Sequence, residues 1–477
     1  MAGGQINILS EEQIGLVHEN TLHLLTKPGV RVASEIVLKL LADGGADVDL
    51  GARIARIPEE LVEETISKVP KSITLGARDP KREMVAPRKG PPYMATNGTA
   101  VYMTDLETGA KRPTMGNDLK DFMTLCDAID SLDYVWPIVT AHDGPERFHG
   151  LNELAIAMHS TTKHIQGEAM SAEEAKDMIR AASLVTGGED QLAKKPIFSV
   201  IQCPICPLEF EKGSVEAVME FAKAGIPVVS MSMALCGLTA PVALAAAISI
   251  VNAENLASFT ISQLARKGAP VIYSSESSTM NMKTGEIRYG AREEVLIAAA
   301  VAQMAKHYGV PTMVGSFGMG LHGDTPGINV DPSELAFTTM TNLSLTDFSS
   351  GIGGLDQAKG AALEQIIIDT DIWESVREIR NDVEFDDKHF ANELISSIGP
   401  GGNFLNSPHT IKNMRKELFL PNAEKSSIFE SYRLNKDQKD ILSKARERVE
   451  EILAIHKPEP IEPDISKRVK EIVDRRR

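Results

Sequence analysis

Two periodicities alternate along the middle of this chain. From about Thr99 onward, short β-branched or apolar runs are each followed by a long segment with apolar residues at helical spacing. Eight such units are present, with strands predicted near residues 100–104, 134–140, 164–170, 197–202, 228–233, 271–276, 312–317 and 345–349. Eight βα units are what a closed parallel barrel requires, whereas a doubly wound sheet needs fewer and carries a nucleotide fingerprint. The fold predicted is α/β, a (β/α)₈ TIM barrel, with its functional face where the strands end.

The flanks read as helical. Ser10 stands as an N-cap before Glu11 and Glu12, and Ile14, Val17, Leu22 and Leu25 follow at helical spacing. A second helix over 33–42 stops at Gly44 and Gly45, and Pro58-Glu59-Glu60 starts a third. Residues 1–92 are thus expected to form an N-terminal helical cap, 93–382 the barrel and 383–477 a C-terminal helical extension. The charged residues of that extension, over 435–455 and 465–477, read as solvated helix faces.

Hydrophobic residues make up 43% of the 477 and charged residues 24%, an ordinary globular balance. Fifty Lys and Arg against 66 Asp and Glu leave a net charge of -16, which argues against a binder of nucleic-acid backbones and suits a cationic ligand. Acidity also keeps a protein soluble, whatever its ligand. The N-terminus lacks a basic start and an apolar run, and the longest apolar stretch, 240–251, is too short for a membrane span of roughly 20 residues. A cytoplasmic protein without membrane contact is expected, and four cysteines make no disulfide framework.

Several predicted strand ends carry polar groups: Gln166 and Glu168, Gln202, Ser232, Ser275 and Glu276, with His322 and Asp324 beyond the seventh strand. Converging on one barrel mouth, they are candidate pocket residues; singly, each is equally a hydrogen-bonded strand terminus. Aromatic residues are only 5%, so Tyr102, Trp136, Phe317 and Phe348 near the mouth are candidates for walls of a cation cage, with barrel packing as the competing account. The turn Ser349-Ser350-Gly351-Ile352-Gly353-Gly354 offers backbone N–H groups of Gly351 and Gly353 to a carboxylate, or merely supplies positive φ.

Gly318, Gly320 and Gly323 match a dinucleotide spacing, but Pro326 and further loop residues separate them from the next helix. Cys203-Pro204-Ile205-Cys206 is a single C-x-x-C. Zinc there would need His322, Cys236 or a carboxylate to complete four ligands, and unreactive thiols are the alternative.

An ordered set of segments resembles the trimethylamine methyltransferase family over almost the whole chain. It runs from Pro28-Gly29-Val30-Arg31-Val32 and Pro70-Lys71-Ser72-Ile73-Thr74-Leu75 through Thr104-Asp105-Leu106-Glu107-Thr108-Gly109 and Leu238-Thr239-Ala240-Pro241-Val242. Ala253-Glu254-Asn255-Leu256-Ala257, Met282-Lys283-Thr284-Gly285 and Phe404-Leu405 with His409-Thr410 complete it. The resemblance implies a (β/α)₈ barrel. The family's founding branch activates trimethylamine with pyrrolysine, and this chain has only standard residues, so the branch implied is the one acting on quaternary amines.

That branch implies methyl transfer from a quaternary amine, glycine betaine first, with proline betaine and carnitine as relatives, to the Co(I) centre of a separate corrinoid protein. No tightly bound cofactor and no covalent catalytic residue are expected. A carboxylate close to the ammonium would overstabilise the ground state, because its charge disappears in the reaction. Glu168 or Glu276 with aromatic faces would surround the ammonium, and Gln166, Gln202 and the Gly351–Gly353 turn would orient the carboxylate. The cap and C-terminal extension are candidate rims for the corrinoid partner, or faces of a homo-oligomer. Two other readings remain open: a zinc-dependent corrinoid methyltransferase for a methanol- or thiol-type donor, and a non-catalytic betaine-binding protein.

Overall fold

A computed structural model describes residues 6–330, 332–342, 346–377, 384–417 and 438–476. The predicted positions Leu345 and 435–437 lie outside the described residues. At the centre are eight parallel strands: β1 (Tyr93–Thr96), β2 (Tyr134–Val135), β3 (His164–Gly167), β4 (Phe198–Gln202), β5 (Val228–Ser232), β6 (Val271–Ser275), β7 (Thr312–Ser316) and β8 (Phe348–Ile352). Each pairs in parallel with the next from β2 to β8, and β8 pairs with β1.

The β1–β2 seam closes without a full ladder. Asp133 N donates to Met94 O at 2.9 Å, and the Thr96 hydroxyl bridges to Trp136 O (2.6 Å) and Trp136 N (2.8 Å). A side chain here replaces backbone partners that a two-residue β2 cannot supply, which satisfies groups that would be costly to bury unpaired.

One predicted strand is corrected. The run 100–104 does contain a strand, Tyr102–Thr104, but it belongs to a four-stranded sheet on the loop after β1, with Lys111–Pro113, Gly360–Ala361 and Gly354–Leu355. The barrel strand is the earlier run Tyr93–Thr96.

Capping determines where the N-terminal helices begin. Glu11–Thr26 starts from a capping box at Ser10, Glu35–Asp43 from the Ser34 hydroxyl and Glu59–Lys68 at Pro58. The region is not purely helical: Val30–Val32, Asp47–Asp49 and Ile54–Arg56 form a sheet that also pairs with Glu209–Phe210 from the loop after β4. Glu11–Thr26 and Glu59–Lys68 lie against Leu244–Ala265, the helix after β5. That helix is long and apolar enough to cross a membrane by composition, yet 83% of its apolar window is buried inside the protein.

A hairpin of Ile73–Leu75 and Met84–Ala86 seals the amino end of the barrel. Gly76 N bonds Pro196 O at 2.8 Å and Asp79 N bonds Thr162 O at 3.0 Å, both just ahead of barrel strands. Ile73, Leu75, Met84 and Ala86 join one interior cluster with Tyr134, Ile201, Val229, Met231, Ile272, Met313 and Phe348. Burying side chains of this size contributes about 1.5–3 kcal/mol each. At the C-terminus, Gln438–Ile455 packs on Leu363–Arg377 and Gly116–Asp127, and Pro463–Asp474 on Ala172–Thr186 and His149–Ser160. The flank helices therefore wrap opposite sides of the barrel, and the rim at its carboxyl face is built from βα loops, joined at the loop after β4 by the N-terminal sheet.

Candidate functional site

Strand parity decides which side chains enter the barrel. Tyr134, Ile201 and Ile272 lie in the interior cluster, so with a period of two Trp136, Cys203 and Glu276 follow on the same face at the strand ends. On β3, His164 holds Gly76 O of the base hairpin at 2.8 Å and Ser199 Oγ at 3.0 Å, which puts Gln166 and then Glu168 on the inner face above it. Parity thus places Gln166, Glu168, Glu276, Trp136 and Cys203 on the inner face at the mouth, and Cys203 feels the charges of both Glu168 and Glu276.

Three atoms here have no hydrogen-bond partner among the described residues although each is sealed from solvent: Gln166 Nε2, Trp136 Nε1 and Glu276 Oε1. They are three of fourteen such atoms among the described residues, and what sets them apart is that all three lie on the inner face of the mouth, where a ligand or water can pair them. Gly98 makes room for the indole, since a Cβ at that position would fall 2.2 Å from the Trp136 ring.

The mouth is electrostatically acidic in a low-dielectric setting. Burial pushes the Glu276 carboxyl up to about 7, and no cation among the described residues acts on it. Glu168 is raised by burial and then by Glu153, with His149 acting the other way. Glu153 foremost, with Glu168 and Glu174, raises His149 to about 9, so this imidazole is a cation that helps Glu168 ionise. Cys203 is exposed to the mouth, yet burial by surrounding protein and the charges of Glu168 and Glu276 push its thiol up to about 12.

Two ionisable residues that sequence reasoning missed stand behind Glu276. Tyr289 is raised by burial, Glu276 and Glu294, and Glu294 is pushed to about 8 by burial and Glu276 while accepting from Gly290 N at 2.8 Å. Tyr289 also lines a cleft of about 470 Å³ together with Arg288, Arg292, Glu334 and Gln357. His322, a predicted pocket residue, belongs to this cleft, paired with Glu334 at 3.1 Å, rather than to the glutamate mouth.

The remaining candidates lie elsewhere. Gln202 and Ser232 have the outward parity and meet the helix Leu244–Ala265: Ser258 Oγ donates to Gln202 Oε1 at 3.3 Å, and Ser232 Oγ donates to Glu254 Oε2 at 2.5 Å. Phe317 is buried outside the barrel against Trp373, with ring centroids 5.2 Å apart. Phe348 is interior but deep, between Tyr93 (5.5 Å) and Tyr134 (5.9 Å). Tyr102 donates to Asp356 at 2.8 Å, and the Lys111 ammonium already sits 4.9 Å from its ring centre. Ser275 donates to Ser277 Oγ at 2.8 Å, and Asp324 pairs with Lys111 at 3.0 Å.

The glycine turn has an internal acceptor. Gly351 has φ +114°, and a Cβ there would lie 2.7 Å from Phe317 N, so glycine permits close approach of β7 and β8. The N–H of Gly353 is taken by Asp369 Oδ2 at 2.8 Å. Asp369 Oδ1 also accepts from Met319 N at 2.9 Å and from Gln365 Nε2 at 2.7 Å. Gln365 in turn accepts from Gly327 N at 2.8 Å. One helix face therefore pins the loops after β7 and β8.

Cys206 parts from Cys203: its sulfur lies 2.9 Å from Glu254 Oε2, and all four cysteines are free thiols. The group of potential ligating side chains that does converge among the described residues is Glu384, Asp386 and His389, within 4.8 Å of one another and largely exposed.

The sequence profile of the trimethylamine methyltransferase (MTTB) family matches residues 2–477. The trimethylamine methyltransferase MttB of Desulfitobacterium hafniense is 29% identical, covering 98% of this chain and 93% of its own length. That of Methanosarcina barkeri strain Fusaro is 30% identical over 99% and 96%. The glycine betaine methyltransferase of D. hafniense strain Y51 is 28% identical over 98% and 97%. Among solved structures, the monomethylamine methyltransferase MtmB of M. barkeri covers 94% of this chain and 95% of its own, with a TM-score of 0.51 at 12% identity. That likeness bears on the fold alone, and agrees with the barrel.

Proposed function

The chain belongs to the trimethylamine methyltransferase family and is a methyltransferase, and from that premise we propose that its methyl donor is a quaternary amine, glycine betaine first, and its acceptor the Co(I) centre of a corrinoid protein. The observation that carries this reading is the pair of mouth carboxyls, Glu168 and Glu276, on the same inner face as the Trp136 indole, with no cation among the described residues acting on Glu276. A permanent cation fits that arrangement: it restores the ionised form of Glu276 and presents its methyl groups to an aromatic face, an attraction of up to about 2 kcal/mol when desolvated.

All residues of the chain are standard, so no pyrrolysine activates the donor, and on this reading the donor is one that reacts without it. A quaternary nitrogen meets that condition, because it keeps the C–N electron pair and departs as a neutral tertiary amine. The corrinoid, on its own carrier protein, supplies a Co(I) nucleophile when docked. The chain's residues bind, orient and exclude water: Glu168 and Glu276 hold the cationic head, Trp136 walls it, and Gln166 Nε2 is a free donor for the donor's carboxylate. Catalysis is then by positioning and electrostatics, in a cytoplasmic enzyme.

The test is anaerobic methylation of free cob(I)alamin with a panel of betaines, carnitine and trimethylamine, followed by loss of the Co(I) absorbance. Turnover with one quaternary amine and none with trimethylamine is expected. Tight betaine binding by calorimetry without turnover, on free or protein-borne corrinoid, would leave a binding protein and overturn the proposal.

A further inference from the structure

The loops after β5 and β6 rise from the mouth as a single piece. Beyond β5 the chain forms the strand Leu235–Cys236, and beyond β6 the hairpin Ser278–Met280 with Ile287–Arg288, all in one three-stranded sheet. This sheet continues the barrel ladder: Glu276 N donates to Ser232 O at 3.1 Å and Ser278 N to Ala234 O at 3.2 Å. Glu276 is thus two residues from the sheet's first strand on that side.

The turns of the sheet carry apolar side chains out into solvent. Leu238 is 62% exposed, Val242 71% and Met282 71%. They are not scattered: a Cβ on Gly237 would lie 3.1 Å from the Met282 sulfur and 3.7 Å from a Val242 methyl, so Met282 and Val242 converge over Gly237, next to Leu238 in the chain. Met170 and Ile205, on the loops after β3 and β4, are 52% and 51% exposed and extend the apolar rim beyond Glu168 and Cys203. Contiguous exposed apolar surface of this kind marks a site of macromolecular contact, and methionine is favoured at interfaces because it adapts its shape.

We propose that Leu238, Val242 and Met282 form the docking surface for the protein that carries the corrinoid, a reading that rests on the proposed methyl transfer. Three features commit the patch to that partner. The base of the barrel is sealed by the Ile73–Leu75 and Met84–Ala86 hairpin, so a protein-borne nucleophile reaches Glu276 only across the carboxyl face. The N-terminal sheet reaches the rim at the loop after β4 and leaves Leu238, Val242 and Met282 exposed for the contact. A second copy of this chain seated on the patch would obstruct the mouth it borders.

The experiment compares two acceptors, free cob(I)alamin and the corrinoid protein that the wild-type enzyme methylates most rapidly, for Val242→Lys, Met282→Lys and the milder Leu238→Ala. Turnover on free cob(I)alamin should stay within twofold of wild type, which also shows that the variants fold. On the corrinoid protein, kcat/KM should fall tenfold or more for the lysine variants, with a smaller loss for Leu238→Ala. Unchanged kcat/KM on the corrinoid protein overturns the proposal. So does a shift of oligomeric state in sedimentation with corrinoid-protein turnover intact, which would give the patch to a second copy. If wild type turns over neither acceptor, the methyl-transfer reading itself fails. Surface-plasmon binding of purified corrinoid proteins then decides the patch: weaker binding to the lysine variants supports it, equal binding or none to wild type overturns it.

Discussion

Replacing Glu276 by glutamine keeps the shape of the mouth and removes a charge that no described residue neutralises. A carboxylate at roughly 5 Å from a quaternary nitrogen, at an effective dielectric of about 20, attracts it by about 3 kcal/mol before residual screening by water and salt. A net loss of about 1–3 kcal/mol is therefore expected, or roughly a 5- to 150-fold rise in KM for the amine at pH 8, where the carboxyl, with its pKa raised to about 7, is ionised. The rate constant should behave differently. The ammonium charge fades as the methyl leaves, so the carboxylate stabilises the ground state more than the transition state, and kcat should hold or rise. In wild type KM should climb as pH falls through about 7, because protonation removes the attraction, and Glu276→Gln should lose that slope. Steady-state methylation of cob(I)alamin between pH 6 and 8.5 gives both constants. A variant with unchanged KM and reduced kcat would refute the reasoning, since it would make Glu276 a group that acts only in the transition state. The same substitution should raise the Tm at pH 8 and leave it unchanged near pH 4.5. The folded carboxyl is raised above its ordinary 4.5, so its cost to the wild-type fold is absent at low pH and complete once pH passes about 7.

Asp369→Ala leaves the N–H groups of Met319 and Gly353 without their acceptor, at about 1–3 kcal/mol for each buried donor, so urea denaturation should show a loss of about 2–5 kcal/mol; a loss below 1 would mean that water or Gln365 replaces the carboxylate. Gly98→Ala should push the Trp136 ring out of place, shifting the fluorescence of one of only two tryptophans and weakening betaine binding while the fold persists; an unchanged spectrum and affinity would show that the loop yields instead. Cys203 is open to reagents but its thiol is pushed up to about 12, so peptide mapping after iodoacetamide at pH 8 should find it alkylated roughly a hundredfold more slowly than an unperturbed thiol, and labelling at the ordinary rate would contradict the acidic mouth.

The barrel is legible in the chain because buried parallel strands are written as short apolar runs, and seven of the eight lie where those runs predict. The exception shows the limit of the signal. Val101-Tyr102-Met103-Thr104 has the stronger strand character and does form a strand, whereas Tyr93–Thr96 is recognised only by its pairing with β8 and its bonds to Asp133 and Trp136. Strand ends locate the mouth, so Gln166, Glu168 and Glu276 could be picked from sequence. Whether Gln202, Ser232 or Phe317 points inward depends on parity, and the register shifts of β8 against β7 and β1 show that parity cannot be counted blindly. Tyr289 and Glu294 reach the site from a loop and the helix after it, with no local pattern to announce them. Asp369 and Gln365 did leave a trace: two polar residues four apart flank Ile366-Ile367-Ile368 on a buried helix, a spacing that puts both on one face.

The hairpin that stoppers the barrel base has a kinetic corollary. A vessel with one opening, shared by a small donor and a protein-sized acceptor, imposes a sequence of events. In the proposed reaction the amine must enter while the mouth is free, and the acceptor comes second. The tertiary amine, held below its larger partner, must wait until that partner departs. Initial-rate plots should then show ordered addition, with the corrinoid protein in excess inhibiting by blocking entry of the next amine, while free cob(I)alamin, small enough to share the opening, relaxes that order.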